Sequence, residues 1–131
     1  MTPQNREVPL LPLIEIPDDL MKALKGEDGI LVTGATGSGK THVLRRLLTL
    51  GHINNASRIF YDADLRGNPA CAEVAETGQG TPVVASIQAM GAIEAWMAFS
   101  QDAGITLEAA KTVFPVVAVV ERGKIVDVVR A

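Results

Sequence analysis

Apolar positions along the chain alternate between two periods. Ile30-Leu31-Val32 is a short uninterrupted apolar run, as a strand buried on both faces requires. From Thr41 to Leu50, Val43, Leu44, Leu47, Leu48 and Leu50 recur at helical spacing. Arg58 to Asp62 reads as a second strand ending in a carboxylate, and Gly51 to Ala56 before it reads as a turn. Ala70 to Thr77 predicts a short helix, and Pro82 to Ile87, rich in β-branched residues, a third strand. Ala89 to Ala103 predicts a longer helix stopped by Gly104, and Thr106 to Val113 a further short one. Val116 to Glu121 and Lys124 to Arg130 flank Arg122-Gly123, the pattern of a β-hairpin.

The first 17 residues carry Pro3, Pro9, Pro12 and Pro17, which predicts an extended arm rather than a regular element. Asp18 and Asp19 then open a short helix containing Leu20, Met21 and Leu24. Strands alternating with helices give an α/β fold with a mostly parallel sheet, and the hairpin adds an antiparallel edge. The expected organisation is therefore an arm over 1–17 and one domain over 18–131.

Composition narrows the function classes. With 131 residues there is room for about one domain. The net charge of −3 excludes nucleic-acid binding by bulk positive field. Cys71 is the one cysteine, so no internal disulfide forms, and no apolar run approaches the length of a membrane span. These features predict a cytoplasmic protein, at most peripheral to a membrane.

The most specific signal is Gly34-Ala35-Thr36-Gly37-Ser38-Gly39-Lys40-Thr41, a full match to G-x-x-x-x-G-K-[ST] between a strand and a helix. A chance match in a chain of this length has a probability of roughly 1% or less. A polyphosphate needs many donors at once. Glycines let backbone amides turn inward, and the following helix start adds positive potential. Lys40 reaches the β- and γ-phosphates of ATP, and the Thr41 hydroxyl ligates Mg²⁺. A glycine-rich turn merely capped by Thr41 explains neither Lys40 nor the strand–loop–helix context. Hydrolysis also needs a carboxylate for the metal. Ile59-Phe60-Tyr61-Asp62-Ala63-Asp64 supplies two, and either Asp62 or Asp64 fits the role.

Ile30 to Thr41 resembles the phosphate loop of the type II/type IV secretion and pilus-motor ATPases, including the conjugation ATPases. Ala63-Asp64-Leu65-Arg66 resembles that family's Gly-Glu-Ile/Met-Arg box, and Ala75-Glu76-Thr77-Gly78-Gln79 its Ala-Glu-Thr-Gly-His segment. Val83 to Ala89 and Gly91 to Ala95 are similar to the strand ending in the family's histidine box and the helix after it. Val116 to Val129 is similar to the terminal hairpin of the conjugation-type members.

The resemblance implies a three-layer, RecA-like P-loop NTPase core that binds ATP and Mg²⁺ through 34–41, with Lys40 and Asp64 catalytic and Thr41 and Asp64 on the metal. It also implies truncation, because only 23 residues separate Lys40 from Asp64 and the family's intervening acidic box is missing. Asp64 replaces the family's Glu, and Gln79 and Gln88 replace its histidines. Gln79 keeps the ability to sense a γ-phosphate as a hydrogen-bond donor but not to move a proton. The N-terminal domain that supplies arginines to a neighbouring subunit has no counterpart.

Two readings follow. One is a minimal secretion- or conjugation-type ATPase core with slow Mg²⁺-dependent hydrolysis. The other is a non-catalytic, nucleotide-responsive interaction subunit of a secretion or DNA-transfer machine, docking through the proline arm and the helix bearing Trp96. A small-molecule kinase ranks below both. Arg66 is a candidate phosphate contact, Arg45 and Arg46 solvated helix positions, His42 a local packing residue and His52 a complement to the helix dipole. Trp96, Met90 and Met97 read as core or interface residues of one helix.

Overall fold

The computed structural model describes residues 14–26, 28–53 and 58–131, with the side chains of 51–53 and 62 left aside. Most of the arm expected over 1–17 lies outside these residues. Of its described end, Ile14 and Ile16 pack half-buried against one side of the core.

The chain order is α1 (Asp18–Lys25), β1 (Ile30–Gly34), α2 (Lys40–Ile53), β2 (Ile59–Asp64), α3 (Cys71–Thr77), β3 (Val83–Gln88), α4 (Ala92–Ala103), α5 (Leu107–Val113), β4 (Val116–Glu121) and β5 (Lys124–Arg130). The five strands form one sheet in the order β2-β3-β1-β4-β5. The β1–β3, β1–β4 and β2–β3 pairs are parallel, and β4–β5 is antiparallel. The fold is thus α/β, with mostly parallel strands and a C-terminal antiparallel pair.

Helices cover both faces, and successive residues of β1 show why. Ile30 and Val32 point to one side, where Leu20 and Leu24 of α1 and Val43 and Leu47 of α2 pack. Leu31 points to the other, into a cluster with Trp96 and Phe99 of α4 and Phe114. Phe99 and Phe114 meet edge-on, with ring centroids 4.9 Å apart, and Trp96 Nε1 donates to the Phe114 carbonyl at 2.8 Å. A sheet buried on both faces needs near-continuous apolar strands, which β1, β3 and β4 are.

Most elements fall where the sequence puts them. Arg122 and Gly123 have φ of 52° and 76°, the left-handed pair that a two-residue hairpin turn demands. Gly104 caps α4 with φ 71°.

Three expectations need correction. The helix after the 34–41 loop runs on through Gly51 to Ile53 instead of turning there, and 54–57 lie outside the described residues. Helix α4 begins at Ala92, not Ala89: the Ala89 carbonyl accepts from Thr33 Oγ1 at 3.3 Å and Gly91 is fully extended. Met90, expected on this helix, is therefore off it. Trp96 is buried, so the outward surface of the helix that carries it is Ile93 and Met97, with Met90 beside them.

Strand β2 is irregular. Phe60 pairs with Val84 and Asp64 with Ser86, so four positions along β2 answer to two along β3.

Candidate functional site

Neighbouring strands β1 and β3 hand the chain to opposite faces. Helix α2 leaves β1 towards the α1 side, and α4 leaves β3 towards the side holding Trp96. In an open α/β sheet such a divergence opens a crevice at the carboxyl ends of the two strands. The segment 34–41 lies there.

Close packing shapes this loop. Gly34 ends β1, and a Cβ on it would lie 2.4 Å from Ser38 Oγ and 2.5 Å from the Val120 carbonyl oxygen. Ser38 N donates back to the Ala35 carbonyl at 3.0 Å. Gly37 and Gly39 take φ of 80° and 101°, which only glycine adopts freely. The Gly123 amide donates to the Ser38 carbonyl at 2.6 Å. Val43 closes the first turn of α2 by donating to the Gly39 carbonyl at 3.2 Å. The amides of Lys40, Thr41 and His42 therefore precede the helix's own bonding pattern. Ala35, Thr36 and Gly37 are exposed at the rim, and Ser38 Oγ is a buried hydroxyl without a hydrogen-bond partner among the described residues.

Lys40 folds over the loop. Its Nζ donates to the Ala35 carbonyl at 3.2 Å and stands 3.9 Å from Asp64 Oδ2. Asp64 comes from the end of β2, two strands away, and is fixed by backbone groups. Its Oδ1 accepts from the amides of Arg66 at 2.9 Å and Gln88 at 3.0 Å. Arg66 Nη1 closes the circuit onto the Gln88 carbonyl at 2.7 Å. Gly67 N donates to Asp102 Oδ2 at 2.6 Å, tying the segment after Asp64 to α4. Beside this cluster opens a cavity of about 390 Å³, lined by Ala35, Arg66, Gln88, Met90, Glu94 and Met97 among others.

Lys40, Asp64, Arg66 and Gln88 thus converge on the loop, with Thr41 exposed at the start of α2. The Asp62 and His52 side chains lie outside the described residues. Gln79 does not converge. Helix α3 runs back against the strand direction and delivers Gln79 to the opposite rim, in a recess shared with Asp28, Gly29, Gly80 and Thr112. The expectation that Gln79 senses a γ-phosphate at this loop is therefore wrong. His42, expected to pack locally, is exposed.

The donor set suits an anion with a small hard cation. Left-handed glycines and helix-start amides offer donors, while Lys40 offers charge. Mg²⁺ takes one or two carboxylate or hydroxyl ligands plus phosphate oxygens and water, which Thr41 and Asp64 can supply. Among the described residues no group of three or more His, Cys, Asp or Glu gathers to hold a metal by itself. No helix among them is long and apolar enough to cross a membrane.

The sequence reading missed the Gly123 and Gln88 amides. Both act through the backbone, and no side-chain pattern marks such groups. Compared with known proteins, the chain matches no family model and no curated protein sequence.

Proposed function

We propose that this chain is an ATP-binding P-loop protein, a reduced RecA-like core resembling the secretion and conjugation ATPases, with slow Mg²⁺-dependent hydrolysis. One observation carries the reading: an ammonium and a carboxylate 3.9 Å apart at the mouth of a loop with two left-handed glycines. A phosphate loop paired with a metal carboxylate has this composition. The order of strands supports it too, because β3 runs between the strand bearing Asp64 and the strand bearing the loop.

The amides of 37–41 would line the β- and γ-phosphates of ATP. Lys40 would exchange the Ala35 carbonyl and Asp64 for phosphate oxygens, and Thr41 and Asp64 would hold Mg²⁺. The bound metal supplies charge neutralisation for phosphoryl transfer. Asp64 Oδ1 is already taken by two backbone amides, so Oδ2 alone is left for metal or water.

That restriction favours a second reading for turnover: nucleotide binding that switches an interaction in a larger cytoplasmic assembly, with little phosphate release. Protein partners or self-association in a secretion or DNA-transfer machine belong to this proposal.

Calorimetric titration with Mg-ATP tests the core claim. Wild-type protein binds, and Lys40→Ala weakens binding at least tenfold. Equal affinity in both sinks the reading. Phosphate release with and without Asp64→Ala then separates slow hydrolysis from a nucleotide-responsive subunit.

A further inference from the structure

The C-terminal hairpin reaches past the end of its neighbour. Strand β4 pairs with β1 as far as Thr33↔Val119, then continues, so that the Val120 carbonyl lies against Gly34. The turn beyond it bends over the phosphate loop. A Cβ on Gly39 would lie 2.8 Å from the Gly123 Cα, and the Gly123 amide holds the Ser38 carbonyl.

We propose that Gly123, through the Arg122–Gly123 turn, is a positioning residue of the phosphate site: it sets which way the Ser38–Gly39 peptide faces. The inference rests on the phosphate-binding reading above. A trans peptide directs its C=O and N–H to opposite sides. With the Ser38 carbonyl held by the hairpin, the Gly39 N–H is turned away from it, to the side open to an anion. Gly39 accepts φ of either sign at little cost, so without this bond the peptide is free to flip. A flip would aim a carbonyl oxygen at the phosphate and withdraw a donor. The hairpin thus supplies a constraint that a glycine-rich loop lacks.

The test needs a control for backbone strain alone. Gly104 has φ 71° with nothing within 4 Å of an added Cβ, and Gly123 has φ 76° with nothing within 4 Å either. An L side chain disfavours both conformations equally, and Asn tolerates them better than Ala. Gly123→Ala should bind Mg-ATP roughly tenfold more weakly than wild type, a change on the order expected for one strained left-handed residue. Gly104→Ala should lose comparable thermal stability yet bind within about twofold of wild type, and Gly123→Asn should restore most of the affinity.

If Gly123→Ala binds no more weakly than Gly104→Ala, the proposal is overturned. If wild type itself does not bind, the phosphate-binding reading fails instead. Hydrogen exchange of the Gly39 amide without nucleotide then decides the brace. Faster exchange in Gly123→Ala than in Gly104→Ala supports it, and equal rates refute it.

Discussion

Replacing Asp64 with asparagine separates a metal ligand from a loop staple. The carboxamide keeps one oxygen, which can stay on the Arg66 and Gln88 amides now 2.9 and 3.0 Å from Oδ1. What disappears is the charge facing Lys40. The Asp64 side chain is 40% exposed and the pair stands 3.9 Å apart, so solvent screens it. Such pairs contribute about 0–1 kcal/mol. Denaturant titration should therefore show Asp64→Asn within about 1 kcal/mol of wild type. Metal dependence should respond far more. A neutral amide is a poor Mg²⁺ ligand, and disturbing a metal's surroundings commonly costs about 10- to 100-fold in affinity. In metal-free buffer, ATP should bind Asp64→Asn at least as well as wild type, because Lys40 no longer has a competing carboxylate. The assay is nucleotide titration at stepped Mg²⁺ concentrations beside the unfolding curves. A variant that loses several kcal/mol of stability while its Mg²⁺ dependence stays intact would show Asp64 to be a structural clasp and remove it from the site.

Gly34→Ala forces a methyl against the Val120 backbone carbonyl and Ser38, so it should cost about 1–3 kcal/mol in equilibrium unfolding and weaken nucleotide binding with it. Trp96→Phe strips the buried Phe114 carbonyl of its indole donor and leaves a void; a loss of about 2 kcal/mol or more is expected by chemical denaturation, with nucleotide affinity unchanged. Burial, reinforced by the Asp102 carboxylate, pushes the Cys71 thiol from 9.0 up to about 11. The native protein should resist alkylation at pH 8. The unfolded chain ionises first, so the stability Cys71 contributes is intact below pH 9 and lost between about 9 and 11, and Cys71→Ala should flatten that part of the pH profile.

Local signals made the heart of the site readable. The apolar run Ile30–Val32, the glycines after it and the helical spacing of Val43, Leu44 and Leu47 are contiguous, so strand, loop and helix follow without knowledge of the rest. The Arg122–Gly123 turn was readable for the same reason, since a two-residue hairpin demands positive φ. Contacts distant in sequence were not readable. Nothing in a linear pattern says that β4 lies beside β1, so the Gly123 amide on Ser38 could not be foreseen. Gln79 matches a motif whose rim depends on the direction of α3, and the pattern alone put it on the wrong side. Gly51 stops no helix, because its conformational freedom marks a turn only where packing does not continue the helix.

The slack in β2 has a consequence for how such a chain tolerates change in length. Asp64 is not carried to its place by counting residues from Ile59. It is clipped there by an amide of the adjacent strand, after a stretch in which β2 spends more residues than β3. A gain or loss of one residue between Phe60 and Asp64 should therefore disturb the carboxylate less than a change at the Gln88 amide that holds it.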